Sequence, residues 1–125
     1  MNPRTEELLE RTFRFGVDCL KFIERLPKTK TYSIVAFQLS KSSTSMGSNY
    51  EEAQAAESSK DFVHKIGIVC KEGRESNYWL RVLNEILETS NHDESFQKIF
   101  NESIELKKIF AAIKLTSQNR LKKEK

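Results

Sequence analysis

The sequence predicts an all-α protein, an antiparallel up-and-down four-helix bundle. Only four glycines and two prolines occur in 125 residues, and so few turn-forming residues argue against a sheet of many short strands. Apolar residues recur every three or four positions in four long segments, which is the spacing of amphipathic helices. Short connections between these segments favour antiparallel neighbours.

Length and composition indicate one domain. A hydrophobic share of 38% in 125 residues allows one compact core. We therefore expect a bundle domain over residues 1–116 and a basic C-terminal tail over residues 117–125. No segment approaches the ~20 apolar residues needed to cross a bilayer, and the N-terminus lacks a signal-peptide pattern. We expect a cytoplasmic protein with Cys19 and Cys70 reduced.

The first helix is expected to begin at about Pro3 or Thr5 and to end at Leu26, just before Pro27. Its two apolar stripes cover roughly 200° of the helix, more than the ~100° that one core requires. The stripes are Leu9, Phe13, Gly16, Leu20 and Ile23, and Leu8, Thr12, Phe15, Cys19, Phe22 and Leu26. Part of this surface should therefore meet another copy, with Phe15 and Phe22 as interface candidates.

The opposite side of helix 1 is mainly basic. It carries Arg11, Arg14, Lys21, Arg25 and Lys28 at helical spacing. One interpretation is a solvated face with internal ion pairs, such as Arg14 with Asp18. The other interpretation is a ridge that binds phosphates.

The C-terminal segment is also basic, with seven basic and one acidic side chain in residues 107–125. It could bind phosphates or an acidic protein, or it could be a solvated helix end. Its nucleic-acid-binding candidates are Lys114, Arg120, Lys122 and Lys123.

Helix 2 should follow Thr31 and reach about Ala56, although residues 40–49 are mostly Ser, Thr, Gly and Asn. We predict a helix here because small side chains allow close helix packing and hydroxyls can hydrogen-bond to the preceding turn. With helix 3, this segment is expected to form a polar network at the helix crossing. Its members are Ser45, Ser48, Asn49, Glu52, His64 and Glu72.

Helix 3 should begin at a cap on Ser58 or Ser59 and reach about Thr89. Beside its core-facing side chains runs a second apolar strip that a single core need not bury. This strip consists of the interface candidates Ile68, Trp79, Val82 and Ile86. Helix 4 should run from about Ser95 to Thr116 or slightly beyond.

Patterns of catalysis and cofactor binding are absent from the sequence. His64 and Cys70 lack a metal-ligand spacing, no glycine elbow marks a nucleophile, and no glycine-rich phosphate loop occurs. We expect no metal, no cofactor and no catalytic residues.

Three segments resemble a known family: SMGSNYEEA at 45–53, SKDFVHKIGI at 59–68 and KEGRESNYWL at 71–80. They are similar to the bacterial four-helix bundle family encoded in intervening sequences of large-subunit ribosomal RNA genes. The likeness covers roughly residues 10–115. It implies an up-and-down protomer that assembles into a ring-like homo-oligomer, often a homopentamer.

The accessory proteins of diversity-generating retroelements are also similar, and they bind nucleic acid and a reverse transcriptase. Those proteins are strongly basic, whereas residues 42–106 here carry six basic and twelve acidic side chains. We therefore expect a non-catalytic, homo-oligomeric scaffold or binding protein that contacts RNA, DNA or an RNA-associated protein. The alternatives are a module that binds only protein and, less in keeping with the sequence, an enzyme.

Overall fold

The computed structural model describes residues 1–124, which contain four long α-helices and no β-strand. Helix α1 spans Pro3–Ile23, α2 spans Lys30–Ala53, α3 spans Ser59–Ile86 and α4 spans Glu94–Lys123. A short 3-10 helix, Ser90–His92, precedes α4. The predicted all-helical class and the number of helices are confirmed.

The helices surround a shared core. Consecutive helices pack on each other, and α4 returns to α1 through a smaller contact. Aromatic side chains fill the core, with the rings of Phe22 and Phe96 5.4 Å apart and those of Tyr50 and Phe110 4.9 Å apart. In residues 1–124, no helix is both long enough and apolar enough to traverse a bilayer.

Each long helix begins at a polar side chain that accepts a hydrogen bond from the first turn, which satisfies a backbone N–H that has no partner within the helix. The donor to acceptor distances lie between 2.7 and 3.4 Å. The capping residues of α1 to α4 are Asn2, Thr29, Ser58 and Asp93. The predicted cap at Ser58 is confirmed.

All four helix ends differ from the predictions, and α2 ends at Ala53 instead of about Ala56. Helix α1 ends at Ile23 instead of Leu26, because Pro27 lacks the backbone N–H that would donate to the Ile23 carbonyl in a continued helix, and its ring would clash with that carbonyl. Helix α3 ends at Ile86 because Leu87 adopts an extended conformation and packs against the core.

Helix α4 continues past Thr116 to Lys123, so most of the predicted tail is helical. No glycine or proline interrupts this segment, and basic side chains in a last turn interact favourably with the helix dipole. The last residue of the predicted tail, Lys125, lies outside the described residues.

The serine-rich part of α2 is helical, as predicted. The hydroxyls of Ser40 and Thr44 donate to the carbonyls of Phe37 and Ser40 at 2.8 and 2.7 Å. Its small residues also allow close packing on α1. A Cβ atom at Gly47 would lie 3.2 Å from the Thr12 carbonyl oxygen, so the backbones nearly touch.

Candidate binding surfaces

An apolar groove lies on the outer side of α1 and α2. We call it the α1–α2 groove; it has a volume of about 550 Å³. Its lining residues are Leu9, Thr12, Phe13, Gly16, Val17, Leu20, Thr44, Gly47, Ser48 and Glu51. Phe13 is 60% exposed and Leu20 is 42% exposed.

The exposed apolar surface continues along α2. Phe37 is 60% exposed and Ile34 is also exposed. Because residues 34, 37, 41, 44, 48 and 51 follow one another at steps of three and four, they lie on one side of α2. The ammonium of Lys41 lies 5.5 Å from the centre of the Phe37 ring. The groove and these two side chains together form one apolar face.

The structure corrects the predicted interface on α1. Phe15 and Phe22 are only 2% and 3% exposed, so they belong to the core of the protomer and not to an outer face. The exposed apolar side chains of α1 are Phe13 and Leu20, which belong to the other stripe. Since both stripes have helical spacing, the sequence did not show which of them the core would bury.

The predicted strip on α3 is partly accessible. Ile86 is exposed, whereas Ile68, Trp79 and Val82 are partly buried. The Trp79 ring packs edge-to-face against exposed Tyr78 at 5.0 Å. The strip therefore presents some apolar surface, chiefly near the end of α3.

Two of the five basic candidates on helix 1 form ion pairs with α4 or its capping residue. Arg11 donates to both carboxylate oxygens of Glu102 on α4, from Nε at 3.0 Å and from Nη2 at 2.7 Å. This hydrogen bonding raises the pKa of Arg11, against the opposing effect of burial. Arg25 donates to Asp93 at 2.6 Å. The first pair joins α1 to α4, and the second joins the turn after α1 to the capping residue of α4.

The remaining three basic residues of this face, Arg14, Lys21 and Lys28, are exposed. Arg14 lies 3.8 Å from Glu10, and Asp18 lies 3.7 Å from Lys98 of α4. The predicted pair of Arg14 with Asp18 is therefore wrong, because Asp18 faces the neighbouring helix.

The C-terminal candidates occupy the outer part of α4. Arg120, Lys122 and Lys123 are exposed and Lys114 is partly buried. Arg120 lines a cleft with Arg4 and Lys108, two residues that our sequence reasoning did not select. Positions 108, 112, 116 and 120 lie on one side of a helix, so their spacing was a detectable signal. Their meeting with Arg4 depends on the tertiary structure.

The predicted polar network is largely wrong. Glu52 and His64 are exposed. Asn49 donates to the carbonyl and hydroxyl oxygens of Ser45 at 2.8 and 2.9 Å, and Ser48 donates to the same carbonyl at 3.2 Å. These bonds remain within α2, because Ser and Asn side chains readily donate to the preceding turn of their own helix.

Glu72 retains part of the predicted arrangement. Burial and the nearby charge of Glu75 raise its pKa, while Lys71, Ser45 and Lys41 lower it. Polar contacts between helices occur deeper in the core: the Ser76 hydroxyl donates to the Ser42 hydroxyl at 2.9 Å.

Asn77 forms a second buried polar link. Its amide donates to the Ser103 hydroxyl at 3.1 Å, which joins α3 to α4. Residues 1–124 contain no cluster of three or more His, Cys, Asp or Glu side chains suited to a metal ion.

The fold is that of a known class of helical proteins. Residues 4–112 match the 23S rRNA-intervening sequence protein family. Because this match covers most of the chain, the protein belongs to that family, as the sequence motifs predicted.

A solved structure has a similar fold. It is the crystal structure of a protein of unknown function from the S23 ribosomal protein family of Bacteroides thetaiotaomicron VPI-5482. The two chains share 28% identity and a TM-score of 0.76, over 88% of this chain and 96% of that one. No curated protein matches the sequence. The similarity to retroelement accessory proteins stays a prediction.

Proposed function

We propose that this chain is the protomer of a cytoplasmic homo-oligomer that acts as a non-catalytic scaffold or binding protein. Its partner would be RNA or an RNA-associated protein. The observation that carries the proposal is the exposed apolar face formed by the α1–α2 groove with Ile34 and Phe37. Contiguous exposed apolar surfaces on soluble proteins often mark sites of association.

The arrangement of helices supports an antiparallel, up-and-down protomer. The Tyr32 hydroxyl donates to the Ile86 carbonyl at 3.0 Å, and Ser42 pairs with Ser76 further along both helices. As the residue number rises in α2, the number of its partner in α3 falls. This order is the one expected of antiparallel neighbours.

Two different apolar surfaces on one protomer support a ring. The α1–α2 groove is one surface, and the α3 strip around Ile86 is the other. When one surface of each copy packs on the other surface of the next, the contacts are head-to-tail, and such contacts close into a ring if the rotation permits. The family resemblance implies five copies.

Sedimentation velocity tests self-association. We expect the wild-type protein to sediment as a particle several times the protomer mass of 14.5 kDa. A Phe13→Glu, Leu20→Glu variant should sediment as a monomer, because it would bury carboxylates in the interface without partners. A monomeric wild-type protein at micromolar concentration would contradict the proposal.

A control variant separates a specific interface from general apolar attraction. Leu115 on α4 is as exposed as Phe13 but lies outside both proposed surfaces. Leu115→Glu should therefore leave the oligomer intact. Dissociation by Leu115→Glu, with no effect of the groove variant, would move the interface to α4.

The charges support contact with RNA through Arg14, Lys21 and Lys28. They are exposed, and a ring would repeat them in every copy. The engagement of Arg11 and Arg25 in ion pairs favours the alternative, a module that binds only protein, since it leaves each protomer fewer cations for phosphates.

A further inference from the structure

A second cleft lies where α1 begins, α2 ends and the outer half of α4 passes. Its volume is about 530 Å³, within the ~300–1,000 Å³ typical of small-molecule sites. The apolar side chains that line it include Leu8, Phe62, Ile109 and Ile113. Such a lining would accommodate the apolar or flat part of a ligand.

Positive charge surrounds the apolar lining. Arg4, Lys108 and Arg120 all line the cleft, and no Asp or Glu does so among the described residues. Within residues 1–124, none of the three forms an ion pair. The Glu124 carboxylate, near Arg120 in sequence, accepts a hydrogen bond from Ser59 at 2.9 Å. Three cations without carboxylates around one cleft produce a positive potential that attracts an anion.

The N-terminus of α1 acts in the same direction as these cations. Asn2 and Thr5 bring the N-terminus of α1 to the lining, and a helix N-terminus carries a partial positive charge. The C-terminus of α2 would add negative potential, but the Gln54 amide donates to the Tyr50 carbonyl at 2.9 Å. This hydrogen bond partly covers the negative end of α2.

We infer that this cleft binds a phosphomonoester whose organic part is apolar or aromatic, such as a nucleoside monophosphate. A phosphomonoester dianion suits three cations better than a single carboxylate does, and the base would cover the apolar lining. The inference goes beyond the proposed function, because the cleft lies within one protomer and requires neither self-association nor the basic face of α1.

Calorimetric titration of the full chain with adenosine 5′-monophosphate tests this inference. Adenosine and inorganic phosphate are the comparison ligands, since each offers only half of the required chemistry. We expect the nucleotide to bind at least tenfold more tightly than either. Equal affinity for adenosine, or no binding of the nucleotide at millimolar concentration, would overturn the inference.

Matched variants locate the site. Lys108→Ala with Arg120→Ala should weaken nucleotide binding at least tenfold, whereas Lys71→Ala with Arg74→Ala removes the same charge from exposed positions on α3 and should change it less than twofold. Circular dichroism checks that both variants fold. Equal losses in the two variants would indicate general charge attraction and would overturn the cleft as the site.

The same chemistry could come from a free nucleotide or from the phosphorylated 5′ end of an RNA. Single-stranded oligonucleotides with and without a 5′-phosphate distinguish these sources. Tighter binding of the phosphorylated oligonucleotide than of the mononucleotide would support an RNA end, and weaker binding a free nucleotide. Nucleotide binding by a protein that sediments as a monomer would contradict the oligomeric function and leave the cleft inference standing.

Discussion

At the scale of single residues, identical amino acids have different roles because their surroundings differ. Gly47 lies against the backbone of α1. A Cβ atom at this position would lie 3.2 Å from the carbonyl oxygen of Thr12 and 3.3 Å from its carbonyl carbon. A Cβ atom at Gly67 would meet no atom within 4 Å. Both glycines lie inside helices, so they form a matched pair for testing the α1–α2 crossing.

We predict that Gly47→Ala destabilises the protein by ~1–3 kcal/mol, the usual cost of overpacking. The contacted atoms are backbone atoms, so the helices themselves must move apart. Gly67→Ala should instead stabilise the protein by ~0.5–1 kcal/mol, because alanine is the better helix former. Urea unfolding measures both changes. A Gly47→Ala variant as stable as Gly67→Ala would contradict the close crossing.

The two cysteines also differ in their surroundings. Cys19 is fully buried, and burial raises the pKa of its thiol to about 12, despite the opposing effect of the nearby Ser43 side chain. Cys70 is partly buried, and its thiol lies 3.1 Å from the Phe110 carbonyl oxygen. Burial also raises the pKa of Cys70, but Lys114 and Arg74 lower it.

We predict that a disulfide reagent labels Cys70 faster than Cys19 in the native protein, because only an accessible thiolate reacts. Cys19 should react at the rate of unfolding, and denaturant should make both thiols reactive. Cys19→Ala and Cys70→Ala variants identify each phase. Rapid native labelling in the Cys70→Ala variant would show that Cys19 is accessible.

The raised pKa of Cys19 also predicts how the stability of the protein changes with pH. Between the ordinary thiol pKa of 9.0 and about 12, the unfolded chain loses a proton that the folded chain keeps. Ionisation therefore favours the unfolded state as pH rises through this range. The stability difference between wild type and Cys19→Ala should shrink there, as measured by urea unfolding at each pH.

At the scale of helices, α1 and α4 form the smallest of the four interhelical contacts. Three ion pairs lie along this side: Arg11 with Glu102, Arg25 with Asp93, and Lys98 with Asp18. The first has the bidentate geometry that gives the strongest charge-assisted hydrogen bonds. Both side chains of this pair are partly exposed, which limits the contribution of the pair to the stability of the protein.

A double-mutant cycle on Arg11→Ala and Glu102→Ala should give a coupling energy in the upper part of the ~0.2–1 kcal/mol range for exposed pairs. Added salt should reduce it by screening. The control is the cycle on Arg14 and Glu10, whose side chains are more exposed and 3.8 Å apart, and this coupling should be near zero. Equal couplings would mean that the bidentate contact adds nothing.

At the scale of the whole molecule, the charge distribution determines which nucleic-acid contacts are feasible. The sequence carries a net charge of +3, and residues 42–106 are net acidic. Binding of phosphates would therefore depend on local basic surfaces and their repetition in an oligomer. Such binding is electrostatic and has a steep salt dependence.

We predict that RNA binding weakens as salt is added. The substitutions Arg14→Glu, Lys21→Glu and Lys28→Glu together should reduce the slope of log affinity against log salt concentration. Each lost contact with single-stranded RNA should lower it by ~0.7 on logarithmic axes. The control reverses three exposed α3 cations, Lys60, Lys71 and Arg74, and should have little effect. No RNA binding at low salt would favour the module that binds only protein.

The sequence by itself determined the helical class, the family and most helix starts. Helical spacing of apolar residues is a local property, and so are capping side chains such as Ser58. The family motifs are local as well. Even the serine-rich segment of α2 was predictable, because its hydroxyls bond to carbonyls of the same helix.

Only the tertiary structure decided which of two equivalent stripes on α1 the core buries. Phe15 and Phe13 have equally good spacing, and packing against α2 and α4 placed the first inside and the second outside. The partners of Arg11 and Asp18, and the meeting of Arg4 with Lys108 and Arg120, likewise depend on residues distant in sequence. Such contacts arise from the orientation of whole helices, which depends on how all four fill a common core.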